Sequence, residues 1–174
     1  PQQYLVQNGT RTQLTKNLDY TPDVTNAVVE RITIERPDGF KFRTTVTLPQ
    51  NYQKGNRLPA IFWFYPREFQ DQDAYDRPDR TFNKNAFQAF GLRSMEFLVR
   101  LGYAVVEPDS PIVGPAGQMN NNYVHDLRNN LAAVIDELDR RALIDRTRLA
   151  IGGHSYGAFS AVNAMVHTPF FKAG

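Results

Sequence analysis

Alternation of apolar and polar residues marks the first half of the chain. Positions 28–35 alternate apolar with charged or hydroxyl side chains, and the same alternation returns at positions 40–48. The turn sequence Pro37-Asp38-Gly39 separates the two segments. Because side chains along a strand point alternately to its two faces, this pattern predicts an antiparallel hairpin with one buried face. Residues 1–18 predict a smaller hairpin around Asn8-Gly9, which we expect to pack on something else because isolated hairpins are marginal in water.

Continuous apolar runs and helical periods follow these hairpins. Residues 59–65 and 103–107 are apolar runs typical of strands buried on both faces. Helical patterns appear at 86–101 and 123–142. The apolar stripe of the second helix comprises Val124, Leu127, Leu131, Val134, Ile135 and Leu138. We therefore expect two helices that each connect a pair of buried strands.

This order of elements predicts the fold class. A β-hairpin followed by β–α–β–α–β–α indicates an α/β protein with right-handed crossovers and a mixed sheet. In such sheets the active site lies at the carboxyl ends of the parallel strands. Ser155 lies at one predicted strand end, and Tyr65 and Asp109 lie at or near two others.

The segment 149–159 carries the strongest chemical signal. It predicts a short apolar strand, a turn with the sequence Gly153-His154-Ser155-Tyr156-Gly157, and the start of a helix. This G-x-S-x-G pattern is the nucleophile elbow, where a strained turn presents a serine and close neighbours exclude side chains at both glycines. The predicted helix has one face, at positions i, i+3, i+4 and i+7, that comprises Ala158, Ala161, Val162 and Met165. Its N-terminus would point at the serine, where negative charge develops in acyl transfer.

Composition narrows the classes of function. The 174 residues are 41% hydrophobic, and 20 Lys and Arg face 18 Asp and Glu for a net charge of +2. These charges are spread along the chain, so we expect no nucleic-acid partner. No apolar run approaches the roughly 20 residues that a membrane span needs. Cysteine is absent and His, Asp and Glu form no cluster at ligand spacing, so the sequence predicts no metal site and no cofactor.

A long polar segment at 66–84 follows the first apolar run. It predicts an extended loop containing Arg67, Arg77 and Arg80 among several acidic residues. Loops of this length without secondary structure are commonly functional lids, although a solvated surface loop has the same composition.

The chain resembles a known family of enzymes. Residues 143–159, which contain Gly152-Gly153-His154-Ser155-Tyr156-Gly157, resemble the catalytic domain of prolyl oligopeptidase-type serine peptidases. Residues 62–66 and 108–114 are most similar to the glutamyl endopeptidase branch. The resemblance covers roughly residues 25–174. It implies an α/β-hydrolase fold, a Ser-Asp-His triad, and a β-propeller that limits entry to peptides.

The resemblance also implies roles for particular residues. Ser155 is expected to be the nucleophile, with an oxyanion hole made by the Tyr156 backbone N–H and the Tyr65 hydroxyl. A preference for substrates with an acidic residue before the scissile bond would require a cation in the binding pocket. Arg67, Arg77 and Arg80 are candidates for this cation by their position in the sequence. Residues 1–25 would be the end of a propeller plus a connector, and residues 26–174 the N-terminal part of the catalytic domain.

The chain departs from the family pattern after the nucleophile. The family's Asp and His follow the serine, and no residue here matches either position. We expect structural roles for His125, His154 and His167, since a base must reach the serine hydroxyl. We also expect Asp126 to be structural and Asp109 to be a solvated loop carboxylate.

The elbow strand is normally central in this fold, and its next neighbour is missing from the sequence. We therefore expect an incomplete sheet, an inactive isolated chain, and a partner that supplies the remainder of the catalytic domain.

Two other functions are compatible with these residues. An esterase or small acyl hydrolase would use the same fold and the same Ser155 on a different substrate. A non-catalytic scaffold or interaction half would fit the missing triad members, although the intact elbow argues against it.

Overall fold

The computed structural model describes residues 2–77, 91 and 94–174, and it forms one main sheet with short elements around it. The strands are β1 (Tyr4–Gln7), β2 (Thr10–Gln13), β3 (Val28–Glu35), β4 (Lys41–Leu48), β5 (Leu58–Trp63), β6 (Arg67–Phe69), β7 (Ala104–Pro108), β8 (Pro111–Val113) and β9 (Ile144–Gly152). The α-helices are α1 (Pro22–Thr25), α2 (Gln72–Asp76), α3 (Tyr123–Arg140) and α4 (Tyr156–His167). Met95–Leu101 and Met119–Asn122 are 3₁₀ helices.

The main sheet has the strand order β3-β4-β7-β5-β9. Strand β4 pairs antiparallel with both β3 and β7, whereas β5 pairs parallel with β7 and β9. The predicted hairpin and the mixed α/β sheet are therefore confirmed. Strand β9 lies at one edge of this sheet, where Ala150 forms a single parallel bridge with Ala173.

The core lies mainly on the sheet face that carries α3 and α4. Alternate residues of the hairpin strands are buried there, as the sequence pattern predicts; examples are Ile32, Ile34 and Phe42. The predicted apolar stripe of α3 is buried except for Val124, which is 38% exposed. A smaller cluster of Val24, Val99 and Val105 packs on the opposite face of the sheet.

Two sequence-based predictions need correction. The predicted loop 66–84 contains β6 and α2, because β6 pairs in parallel with β8 and Asp71 caps α2 by accepting a hydrogen bond from the Ala74 amide. No local pattern reveals a strand whose partner is distant in sequence. The predicted helix 86–101 is a 3₁₀ helix from Met95 to Leu101, and most of its first half lies outside the described residues.

The N-terminal hairpin forms as predicted around Asn8-Gly9, with Tyr4 opposite Gln13. Every residue of β1 and β2 is exposed, so the expected packing surface is not found in the part of the chain that the structure describes.

Candidate active site

The turn between β9 and α4 holds Ser155 in an unusual backbone conformation. Its φ is +56° and its ψ is −117°, a combination that L-residues with side chains rarely adopt. The strand ends at Gly152 and the helix begins at Tyr156, so Ser155 stands at the tip of a sharp turn with its side chain exposed. The predicted strand–turn–helix is present, and Ser155 is the residue with the strained backbone conformation.

The two glycines of the motif are required by close backbone contacts. A Cβ on Gly153 would lie 2.3 Å from the carbonyl carbon of Gly157. A Cβ on Gly157 would lie 2.2 Å from the carbonyl oxygen of Phe64, at the end of the neighbouring strand. No side chain fits at either position without moving backbone. These contacts hold the elbow against the segment that leads into Tyr65.

Tyr65 and Tyr156, the predicted oxyanion donors, lie next to each other. Their rings meet edge to face with centroids 5.9 Å apart. Tyr156 is the first residue of α4, and the N–H groups of a first helical turn have no acceptor within the helix. Tyr65 follows β5 and is 54% exposed. The structure therefore brings together Ser155, an N–H at a helix N-terminus and a phenol.

This site is supported by further side chains, which the sequence analysis did not identify. The Tyr123 hydroxyl donates to Ser160 Oγ at 2.6 Å, and Ser160 Oγ donates to the Tyr156 carbonyl at 2.6 Å. The Tyr156 hydroxyl contacts Asn120 and Glu68. Burial, followed by the charges of its neighbours, raises the pKa of Tyr156, so this phenol is neutral and able to donate. These partners come from separate elements, so no local sequence signal identifies them.

A cavity of about 1170 Å³ opens beside the elbow, at the carboxyl ends of β5 and β7. Its lining includes Tyr65 and His154 together with two of the predicted arginines, Arg67 and Arg77. Arg80 lies outside the described residues. Two further arginines that the sequence did not indicate, Arg31 and Arg43, line the same cavity from the hairpin strands.

The arginines of this cavity differ in their pairing. The Arg43 backbone N–H and guanidinium donate to the Tyr75 hydroxyl, and its Nε lies 3.7 Å from Asp109. Within the described ranges, no carboxylate oxygen lies within 4.0 Å of the guanidinium groups of Arg31, Arg67 or Arg77. Within the described part of the chain, the cavity therefore offers positive charge that no direct ion pair neutralises.

One acidic residue in the cavity wall has a shifted pKa. Glu107 lies on β7, opposite Thr45 of β4, and is half-buried. Burial, with a smaller effect of the nearby Glu96 charge, raises the pKa of Glu107 to about 7. The carboxyl is therefore partly protonated near neutral pH, which reduces its repulsion of an anionic ligand.

The histidines and the two aspartates singled out from the sequence do not complete a triad. His125 bonds to Asn129 on α3, whereas His154 and His167 are exposed. Asp109 accepts a hydrogen bond from the Tyr75 hydroxyl at 2.5 Å, so it is more than a solvated loop carboxylate. Among the residues placed by the structure, the Ser155 hydroxyl has no hydrogen-bond partner.

Asp126 is buried in α3 and has a structural position. One oxygen lies 2.9 Å from the Arg36 guanidinium, and the other accepts from the Val113 amide at 2.8 Å. It therefore ties α3 to the β3–β4 turn and to β8.

No group of three or more His, Cys, Asp or Glu residues within the described ranges is arranged to hold a metal ion. None of the helices described here is long and apolar enough to cross a membrane.

Residues 89–174 match the Prolyl oligopeptidase family. The chain is 34% identical over 156 residues to a protein of Arabidopsis thaliana named probable glutamyl endopeptidase, chloroplastic, covering 87% of this chain and 16% of that protein. It is 26% identical over 192 residues to the lasso peptide isopeptidase AtxE2 of Asticcacaulis excentricus, covering 99% of this chain and 25% of that protein.

Solved structures share the fold. The apo structure of AtxE2 isopeptidase superposes with a TM-score of 0.61 at 26% identity, covering 84% of this chain and 22% of that chain. A post-proline cleaving enzyme from Rickettsia typhi superposes with a TM-score of 0.65 at 21% identity, covering 98% of this chain and 23% of that chain. The chain thus spans 16% to 25% of the length of these relatives.

Proposed function

The chain is related to the prolyl oligopeptidase family of serine peptidases and shares its α/β-hydrolase fold, and from this premise we propose that it carries the nucleophile and oxyanion hole of a serine peptidase. Ser155 Oγ attacks the carbonyl carbon of a peptide bond and loses its proton to a general base. The carbonyl oxygen becomes an oxyanion, the C–N bond breaks as the amine takes the proton, and water then hydrolyses the acyl-enzyme.

One observation supports this proposal above the others. Between Gly153 and Gly157, which have no room for a side chain, Ser155 stands at positive φ directly before α4, whose first residue, Tyr156, contacts the Tyr65 ring. Backbone strain of this kind costs about 1–3 kcal/mol and persists where the surroundings enforce it. In acyl transfer, donors preorganised at the developing oxyanion provide the largest electrostatic contribution. An esterase would use the same residues, and the relatedness to peptidases favours a peptide substrate.

We propose that the general base and the carboxylate that orients it are supplied from outside these 174 residues. None of the three histidines hydrogen-bonds to Ser155 in the described residues. The remainder of the catalytic domain, as another segment or another chain, is therefore the proposed partner. Without a base, only a small residual rate from binding and the oxyanion hole is expected.

Fluorophosphonate labelling with intact-mass analysis tests the proposal. In the full-length protein that carries this sequence, we expect one adduct at Ser155 and none in a Ser155→Ala variant. The isolated 174-residue chain should label at least a hundredfold more slowly, since its serine lacks a base. Absence of labelling in the full-length protein would contradict the peptidase proposal and favour a non-catalytic role.

We further propose a preference for an acidic residue before the scissile bond. The cavity beside Tyr65 contains Arg67 and Arg77 without direct carboxylate partners in the described part of the chain. The relative in Arabidopsis thaliana bears the name of a glutamyl endopeptidase. Guanidinium groups bind carboxylates through charge-assisted hydrogen bonds, so this cavity suits a glutamate side chain.

Paired peptide substrates that differ only in Glu or Gln test the preference. Arg67→Gln and Arg77→Gln should each lower the ratio of kcat/KM for Glu over Gln by about tenfold, because hydrogen bonds to charged groups are worth about 1.5–3 kcal/mol. Arg128→Gln, at an exposed site on α3, is the matched control. An equal rate on both peptides in the parent protein would rule out the preference.

A further inference from the structure

The hydroxyl of Tyr156 is held by two polar side chains from other elements. It donates to Asn120 Oδ1 at 2.9 Å and lies 3.4 Å from Glu68 Oε1. Asn120 Nδ2 in turn donates to the same Glu68 oxygen at 2.6 Å. One residue of β6, one of the second 3₁₀ helix and one of α4 therefore meet in a single cluster, which we call the Glu68–Asn120–Tyr156 network.

The network connects the segments that carry the two proposed oxyanion donors. Glu68 lies three residues after Tyr65, and it is fixed in register opposite Ile112 by the parallel pairing of β6 with β8. Tyr156 supplies the second donor from its own backbone N–H. The hydroxyl contacts thus tie the elbow to the strand that follows Tyr65, in addition to the ring contact between the two tyrosines.

The rest of the Tyr156 residue is also constrained. Its ring lies beside those of Tyr123 and Phe159, with centroid separations of 5.8 and 6.1 Å. Its carbonyl accepts from Ser160. With the ring, the carbonyl and the hydroxyl all held, the direction of the Tyr156 N–H is set by contacts on three sides.

We infer that Glu68 and Asn120 are positioning residues that align the Tyr156 N–H and the Tyr65 hydroxyl for the oxyanion. This inference rests on the proposed peptidase function. Both side chains are exposed, and hydrogen bonds at the surface add little to stability. A shift of a few tenths of an ångström in a donor, by contrast, directly weakens stabilisation of the transition state. The network therefore acts on rate more than on folding.

Kinetics of the full-length protein test this inference. Tyr156→Phe and Asn120→Ala should each lower kcat about three- to tenfold, with KM changed less than twofold. The affinity for a peptidyl trifluoromethyl ketone, which forms an oxyanion on Ser155, should fall by the same factor as kcat. The affinity for the corresponding product peptide, which forms none, should stay the same.

Two comparisons distinguish a positioning role of the network from an effect on protein stability and from an effect of the Glu68 charge. The double variant that combines Tyr156→Phe with Asn120→Ala should have a kcat no lower than that of the more impaired single variant, because both changes break the same network. Glu68→Ala should resemble Asn120→Ala, whereas Glu68→Gln keeps an acceptor oxygen and should restore kcat to within about threefold of the parent. Asn122→Ala is the matched control, since Asn122 is exposed in the same 3₁₀ helix and makes no side-chain cap bond.

The outcomes distinguish this inference from the function on which it rests. If the parent labels at Ser155 but the variants lower only the melting temperature, with kcat and ketone affinity unchanged, the positioning role is wrong. Additive losses in the double variant would also overturn it. If the parent protein does not label at all, the peptidase proposal fails, and the inference fails with it.

Discussion

Helices α3 and α4 pack on the same face of the sheet, yet they bury different kinds of residues. Helix α3 buries large aliphatic side chains such as Leu131 and Val134. Helix α4 buries only small residues, which are Gly157, Ser160, Ala161 and Ala164. Its large apolar residues are exposed, and they are Phe159, Val162, Met165 and Val166. The helix predicted from the spacing of Ala158, Ala161, Val162 and Met165 is present, but of these four residues only Ala161 is buried.

The elbow explains this difference. Gly157 lies against the Phe64 carbonyl, so the first turn of α4 approaches the sheet too closely for large side chains. Small residues continue along that side of the helix. Helix α3 has no such constraint and keeps the usual aliphatic stripe. Apolar periodicity thus identifies a helix, whereas the closeness of its approach decides which face is buried.

Helix α4 packs against β9, the edge strand of the main sheet, and its large apolar residues lie on its exposed side. Contiguous apolar surface of this kind commonly marks an interaction site.

The largest expected effect concerns the buried charge that anchors α3. Asp126→Ala removes the carboxylate that holds the buried Arg36 guanidinium and the Val113 amide. Removing one partner of a buried ion pair costs about 3–5 kcal/mol when the remaining charge is left unpaired in the interior. Because Arg36 keeps its ion pair with Asp38, we expect a loss near the lower end of that range, about 3 kcal/mol. Urea denaturation followed by circular dichroism measures this loss in the free energy of unfolding.

Asp136→Ala is the control for that experiment. Asp136 lies on the same helix, and its pair with Arg146 is solvent-exposed. We expect a change below about 0.5 kcal/mol, as is typical of surface pairs. Equal effects at the two positions would show that Asp126 does not anchor the helix.

A matched pair of valines tests the comparison between the helices directly. Val134→Ala on α3 removes fully buried methyl groups and should cost about 2 kcal/mol of unfolding free energy. Val166→Ala on α4, where the side chain is 71% exposed, should be neutral or slightly stabilising. Alanine has the higher helix propensity, by up to about 0.7 kcal/mol.

Both valine variants should be measured in the 174-residue chain and in the full-length protein. If Val166→Ala lowers the free energy of unfolding only in the full-length protein, another segment covers this face of α4. A cost close to that of Val134 in the chain itself would contradict the exposed face of α4.

The smallest expected effect concerns a hydrogen bond between the two helices. Tyr123→Phe removes the hydroxyl that donates to Ser160, and it should cost about 1 kcal/mol, the usual net value of a hydrogen bond. Tyr20→Phe, at a residue that is 84% exposed, should change nothing measurable. Thermal unfolding compares the two variants. If Tyr123→Phe behaves like Tyr20→Phe, the Tyr123–Ser160 bond does not fasten α4 to α3.

Features that depend on residues close together in the chain can be predicted from the sequence alone. The hairpin of β3 and β4 follows from alternation, and α3 follows from an aliphatic stripe. The elbow follows from two glycines spaced around a serine, because only glycine fits where Gly153 and Gly157 meet backbone. These features are local, so their signals lie within a few residues of each other.

The groups from distant parts of the chain that meet at the site, by contrast, are known only from the folded structure. The strand order places Arg31 and Arg43 of the hairpin in the same cavity as Arg67. It also brings Glu68 and Asn120 to the Tyr156 hydroxyl. The physical reason is that such contacts depend on strand pairing and on the close approach of α4, both of which join segments far apart in the chain. No periodicity or short motif records them.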